Sequence, residues 1–495
     1  MAHIRQLCSI VLAAALAGAA WLAAPALSEE REPIVWDLTG LYKSDRAWRK
    51  AYGKVQDRID GLSVYEGTLG ESAASLADAM EAMSATAKEA ARIYVYASLK
   101  NDENQTVAAS QERLGEARAL YASFSESVAW IEPEVLSVGE EQITNYLSAE
   151  PRLEPFDFYL SDILRSAPHT LGDEAERVIA AAGVVLTSPS EIYELLANAD
   201  IPWPTVTLST GEEAFLNQAG YSKHRASPNR DDRIAVFDAF WGAWSEYLDS
   251  MGMILATEVS ANVFLAQTRN YESVLEMQLA EESIPSAVYE TLVEEVNRGL
   301  PTLHRYFELR QRMLGLDEIR YYDIYPPLVE LDKTYDLDAS AEITRASLEP
   351  FGPDYLSKLD EALTSNWAHV YPAKGKRSGA YMNGSAYDVH PFVLLNHNDD
   401  FNSLSTYTQE WGHAVHSMFA NEAQPFEKAD YSTFVAEIAA IINEILLEEY
   451  MIENAETKEE KLYYLGYALE SMRGSFYRQT MFSEFEAAIH EAVEN

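Results

Sequence analysis

Apolar positions recur every three to four residues over most of the first two hundred positions. The spacing is clearest in Ser72–Lys100, where Ala, Leu and Met alternate with Glu, and again in Val107–Val128. Gly and Pro are sparse there, so the stretch from Trp36 to about Asp200 predicts a helical bundle with short breaks. It carries no chemistry of its own and is expected to serve as a wall that restricts access to a site elsewhere. No internal repeat and no low-complexity linker interrupts it.

The pattern changes at Ile201-Pro202-Trp203-Pro204. Thr205–Leu208 alternates like a short strand and Thr210-Gly211 supplies a turn. Ser227-Pro228-Asn229-Arg230-Asp231-Asp232 then reads as a turn and helix cap, ahead of a helix with Phe237, Phe240 and Trp244 at ordinary core spacing. A domain boundary is placed here, giving a helical N-terminal domain over 33–200 and a second domain over 201–495. Ser378–Asn396 is the one convincing strand region. Gly379 and Gly384 allow close backbone approach, and Val389 to Leu395 is apolar and partly β-branched. An edge of this kind can hold a peptide as an added strand, or it is a plain hairpin supporting the helix that follows.

That helix contains Thr406-Tyr407-Thr408-Gln409-Glu410-Trp411-Gly412-His413-Ala414-Val415-His416-Ser417. Gln409 and His413 stand four residues apart and share a face. Metalloprotease helices of the H-E-x-x-H type use this spacing to present two imidazoles to zinc, with the intervening Glu as base. Here position 409 is Gln, and an isolated E-x-x-H is equally an exposed pair on a surface helix. Downstream, Phe434-Val435-Ala436-Glu437-Ile438-Ala439-Ala440-Ile441-Ile442 sets one carboxylate in an apolar run that is expected to be buried. A buried carboxylate needs neutralisation, hydrogen bonds or a cation. Either an Arg or Lys partner or a metal satisfies Glu437, and a Glu on a second helix is the usual third zinc ligand. Glu444, two turns further on, either steers a ligand from behind or is a surface acid. His416 is a substitute ligand or, as its position favours, a packed or hydrogen-bonding residue behind the site. His397 is left unassigned.

Three blocks together resemble the oligoendopeptidase F branch of the thimet-type zinc metallopeptidases. They are Ser378-Gly379-Ala380-Tyr381 with Tyr387-Asp388-Val389-His390-Pro391-Phe392-Val393-Leu394-Leu395-Asn396, then Glu410 to Ser417, then Phe434 to Ala439. The resemblance runs from about Trp36 to the end. It implies a mainly α fold, a large helical metallopeptidase with a deep substrate channel and a small β-sheet near the zinc helix. It further implies His413 and Glu437 as zinc ligands, Gln409 in the place of the first ligand His, and Glu410 as general base. Tyr381, Tyr387 and His390 become side-chain contacts to an oligopeptide substrate. The family continues into a further helical segment whose Tyr and His residues stabilise the oxyanion. This chain is expected to lack that segment, because the amphipathic pattern of Ser483–Val493 stops at Asn495. The implied activity is zinc-dependent cleavage of internal bonds in short oligopeptides, impaired by QEWGH in place of HEWGH. The alternative is a non-catalytic peptide-binding relative.

Charge narrows the partners. Lys+Arg number 37 against 79 Asp+Glu, a formal net charge of −42. This argues against nucleic acid and anionic membranes. Arg5, an uncharged stretch from Ser9 to Leu27, Ala24-Pro25-Ala26 and then Glu29-Glu30 have the layout of a secretory signal over 1–26. An uncleaved anchor is the competing reading. Export to the periplasm or medium is therefore expected, without stable membrane association after cleavage, for a monomer. Cys8 is the only cysteine, so the mature chain would hold no disulfide.

Overall fold

The computed structural model describes residues 34–495. The expected signal over 1–26, with Cys8, lies outside the described residues. The chain is mainly helical, and the sheets are small. No helix of the described residues is long and apolar enough to cross a membrane. Contacts divide the chain into two compact units. One joins the residues up to Ala167 with Lys333–Met451; the other joins Pro168–Asp332 with Ile452–Asn495. The composition shift at 201–204 thus falls inside the second unit.

In the first unit, helices α1 (Asp45–Gly61), α2 (Ala73–Glu103) and α3 (Ala108–Val128) follow the expected periodicity to within a few residues. Ser44 and Ser72 cap α1 and α2, each side chain accepting a backbone N–H from the first turn. Their buried stripes, including Trp48, Leu76, Met80, Ile93, Leu99, Leu114 and Phe124, make one core. The later part supplies α4 (Leu337–Ser347), α5 (Pro353–Thr364), strands β1 (Ala368–His369), β2 (Tyr381–Asn383) and β3 (Phe392–Leu394), then α6 (Phe401–Ala423) and α7 (Thr433–Glu453).

The strand order is β1-β3-β2. β3 pairs parallel to β1 (Ala368 opposite Val393) and antiparallel to β2 (Met382 opposite Val393). Side chains of a strand alternate between faces, and β3 uses both. Phe392 and Leu394 join the core of α1–α3. Val393 and Leu395 join a second core with Leu359, Ala362, Tyr407, Trp411 and Val415. This explains the continuous apolar run of β3: it is central and covered on both sides. It also seats α6 against the sheet.

A lysine holds the strand ends. Lys376 is buried, and its ammonium donates to the carbonyls of His369, Tyr371 and Leu395. Burial pushes its pKa down to about 7. The three carbonyl acceptors act in the opposite sense, favouring the charged form.

The second unit contains the expected hairpin, Thr205–Thr207 with Glu213–Phe215, and an aromatic helix Arg230–Ser245 capped by Asn229. Phe240 packs with Leu208, Leu216, Tyr221 and Val236, as its spacing predicts. Asp323 is fully buried. It accepts from Arg230 (2.9 Å) and Arg233 (2.9 Å) and from the Arg320 N–H.

Candidate metal centre and active site

Helix α6 begins where Asp400 accepts the N–H of Ser403. It buries Leu404, Tyr407, Trp411, Ala414 and Val415. That packing fixes its rotation and leaves Gln409 and His413, one turn apart, only half-buried. Helix α7 approaches it through Glu437, Asn443 and Glu444. Glu437 Oε2 comes to 3.9 Å from His413 Nε2. Two atoms bound to one zinc at about 2.0–2.2 Å lie within about 4.4 Å of each other, so the pair can share an ion.

The closeness of the two helices has a local cause. A Cβ on Gly412 would stand 2.7 Å from Asn443 Nδ2 and 3.1 Å from the Ala439 carbonyl oxygen, so only glycine permits this approach. Asn443 is completely buried, donates to the Thr408 carbonyl (3.2 Å) and exchanges hydrogen bonds with Tyr355 Oη. Thr408 in turn bonds to Thr344 of α4 (2.7 Å). This network joins α4, α5, α6 and α7 immediately beside position 409. Sequence reasoning missed it, because an Asn inside an apolar run gives no sign of what it will meet.

One expectation for α7 is corrected. The run from Phe434 to Ile442 is not buried all round: Phe434 is 55 % exposed, Ile438 48 % and Ile441 40 %. Helix α7 buries only the stripe of Ala440, Asn443, Leu447, Glu448 and Met451. An apolar pattern shows which residues can be buried but not which of them find a neighbour. Glu437 is accordingly half-buried rather than enclosed, with its pKa raised by desolvation.

The electrostatics are one-sided. Glu410 is buried, and its pKa is pushed up to about 8 by burial and then by Glu437 and Glu444. The Met382 N–H of β2 offsets this in part. Glu444 is held at about 7 by burial, while Ser405 donates to it (2.9 Å). Glu448 is also at about 7, through burial and then Glu444, and its Oε1 has no hydrogen-bond partner among the described residues. Among the described residues no lysine or arginine is a cause of the shift at Glu410, Glu437, Glu444 or Glu448. His413 is pushed down to about 4 by burial, with the Ala436 carbonyl opposing, so its imidazole is neutral at neutral pH.

His416 stacks on Tyr431 (4.0 Å between ring centres), and its buried Nδ1 has no hydrogen-bond partner among the described residues. Tyr381 directs its hydroxyl to Asp102 (2.7 Å), and Tyr387 donates to the Gln424 carbonyl (2.6 Å). His390 stacks on Trp367 (4.3 Å) and lies 3.0 Å from the Pro391 carbonyl. The hydroxyls of Tyr381 and Tyr387 and the Nδ1 of His390 are thus engaged within the protein. His397 is structural, placed between Ser340 and the Asp399 N–H. Among the described residues no three His, Cys, Asp or Glu side chains converge as a metal site. Two such groups, His413 and Glu437, do meet.

Residues 224–495 match the model of Peptidase family M3, and residues 134–202 match that of Oligopeptidase F. The chain belongs to peptidase family M3. It is 36 % identical to group B oligopeptidase PepB of Streptococcus agalactiae, covering 94 % of this chain and 77 % of that protein. It is also 36 % identical to oligopeptidase PepF of Bacillus subtilis, over 94 % of this chain and 70 % of that one. The fold matches the crystal structure of a peptidase from Chlamydophila abortus with a TM-score of 0.82 at 31 % identity, covering 93 % and 78 % of the two chains. Oligoendopeptidase-F from Enterococcus faecium matches with a TM-score of 0.66 at 30 % identity, covering 91 % and 76 %. The M3 assignment agrees with the three blocks that first indicated it, and it makes peptide hydrolysis the family chemistry.

Proposed function

We propose that this M3 chain acts on short oligopeptides through a zinc centre formed by Gln409, His413 and Glu437, with Glu410 moving the proton, and that Gln409 leaves peptide turnover impaired. The observation that carries the reading is the 3.9 Å approach of His413 Nε2 to Glu437 Oε2, one turn from Gln409 and beside Glu410. The donor set fits zinc at two positions, an imidazole and a carboxylate, and less well at the third, where a neutral amide oxygen replaces the softer imidazole. A bound zinc would supply a Lewis acid and acidify its water.

The chain's own groups supply the rest. His413, neutral at neutral pH, keeps a lone pair free while the Ala436 carbonyl orients its ring. Glu410 is within the pKa range where a carboxyl both accepts a proton from water and returns it to a leaving amine. The Met382 N–H ties that carboxyl to β2, the edge strand beside which an extended peptide can align. Gln409 favours one second reading, a peptide-binding relative without turnover. Export of the chain remains part of the proposal and rests on residues 1–26.

Equilibrium dialysis with zinc, together with hydrolysis of a quenched fluorescent peptide, tests this. Structural sites yield about 10–16 kcal/mol over four ligands, or about 3 kcal/mol each, so Gln409→His should tighten zinc binding by about 10²-fold and raise turnover. Tight stoichiometric binding by the unaltered chain, or no change in Gln409→His, would show that position 409 is not a weak ligand. Peptide binding without hydrolysis in the zinc-saturated Gln409→His chain selects the second reading.

A further inference from the structure

A separate cluster in the second unit has the chemistry of an anion site. Arg225, at the end of helix Gln218–His224, places its guanidinium 3.9 Å from the centre of the Tyr325 ring. Arg478 Nη1 donates to the hydroxyl of the same tyrosine (3.3 Å). That hydroxyl also shares a hydrogen bond with Tyr321 Oη (2.8 Å), and Trp241 Nε1 donates to the neighbouring Tyr221 hydroxyl (3.1 Å). Arg473 approaches the Tyr325 ring at 5.6 Å but is taken by Glu470 at 2.8 Å.

Arg225 and Arg478 have no carboxylate at ion-pair distance among the described residues, in a protein whose acids outnumber its bases by 79 to 37. The equally half-buried Arg230 and Arg269 of this unit, and the fully buried Arg233 and Arg310, are each paired with an acid. Two guanidiniums around one ring repel each other, and cation–π contact with tyrosine contributes only about 0.5–2 kcal/mol. Both are half-buried, and Tyr321 beside them is 46 % exposed, so the cluster opens to solvent. Planar guanidinium forks and phenolic hydroxyls match the two oxygens of a carboxylate or the several of a phosphate.

We propose that Arg225 and Arg478, arranged around Tyr325 with Tyr321, bind a small oxyanion such as the free carboxylate of a peptide. The proposal stands independently of the metal centre. The probes are N-acetyl-dialanine as the free acid, the same peptide as its C-terminal amide, and inorganic phosphate, each titrated calorimetrically into the full chain after chelator treatment. The acid should bind at least about tenfold tighter than the amide, and Arg225→Gln and Arg478→Gln should each weaken it by about tenfold or more.

Phosphate binding that competes with the acid identifies a general oxyanion site. Acid binding that phosphate leaves untouched identifies the peptide carboxylate. Arg225→Lys and Arg478→Lys keep charge and packing but lose the fork, so they should also lose affinity while melting as the parent does. Equal binding of acid and amide with no phosphate binding overturns the proposal. So does affinity unmoved by the four arginine variants. Loss of acid binding in Glu410→Gln overturns it too, by placing the peptide at the other site.

Discussion

Gly412→Ala tests whether the approach of α6 to α7 is what assembles the centre. The added Cβ would lie 2.7 Å from Asn443 Nδ2, 3.0 Å from its Cγ and 3.1 Å from the Ala439 carbonyl oxygen, where ordinary contact begins at 3.4 Å. Relief therefore needs 3.4 − 3.1 = 0.3 Å from backbone and 3.4 − 2.7 = 0.7 Å from a side chain. Asn443 cannot readily turn away, since it is completely buried and bonded to both Thr408 and Tyr355. Overpacking of this kind destabilises by about 1–3 kcal/mol, and a strained Asn443–Thr408 bond adds about 1 kcal/mol. Against that, alanine is the better helix former by about 1 kcal/mol. The net expectation is a loss of about 1–3 kcal/mol, read from urea unfolding.

The functional consequence follows from the same displacement. A shift of several tenths of an ångström exceeds the tolerance of about 0.2 Å in a metal–ligand distance. In a Gln409→His background, Gly412→Ala should therefore lower zinc affinity by about 10–100-fold. A double-mutant cycle with Asn443→Ala isolates the contact. Removing Nδ2 and Cγ takes away the two closest atoms and leaves the Ala439 oxygen at 3.1 Å, so the penalty of Gly412→Ala should shrink by about 1 kcal/mol or more. A Gly412→Ala chain that is more stable than its parent and binds zinc unchanged would refute the reasoning.

Two further tests use pH. Glu448 has its folded pKa raised to about 7, so its protonated form is the one the fold favours; stability is full below about 4.5 and is lost as pH rises through about 7. Glu448→Gln should therefore gain up to about 3 kcal/mol at pH 8 and almost nothing at pH 5 in urea melts, and an equal gain at both would contradict this origin. Asp323 behaves oppositely. Burial raises its pKa, but bonds from Arg230, Arg233 and the Arg320 N–H outweigh that and hold it below 3.8, so its contribution is present above that value and lost as pH falls through the lower folded one. Asp323→Asn should lower stability by about 3–5 kcal/mol at pH 7, with the gap closing at strongly acid pH in thermal melts.

The helical character was legible because periodicity and caps agree: Ser72 opens α2 and the pattern of Val107–Val128 reappears as α3. β3 was legible for another reason, since a short apolar run covered on both faces has no polar alternation to confuse it. What sequence could not show was pairing between distant stretches. Lys376 reads as one base in a basic loop, yet three carbonyls from two strand regions converge on it. Asn443 reads as a polar break in an apolar helix, yet it sets the spacing of the two helices that carry His413 and Glu437. The exposed outer face of α7 failed for the converse reason, because hydrophobicity is a property of a residue and burial is a property of its neighbours.

The proposed centre separates two things that a metal site normally combines. Its attraction for a cation would come from Glu410, Glu437, Glu444 and Glu448, whose pKa values are raised by burial and, for all but Glu437, by a neighbouring carboxylate as well. Replacing an imidazole by the Gln409 amide exchanges one neutral donor for another and leaves that attraction intact. What changes is softness: the set becomes two oxygens and one nitrogen, which suits manganese or magnesium relatively better than the nitrogen-rich set does. Gln409 therefore weakens discrimination more than it weakens the pull on a divalent ion. On that argument, Gln409→His should raise zinc affinity more than manganese affinity, so the ratio of the two rises.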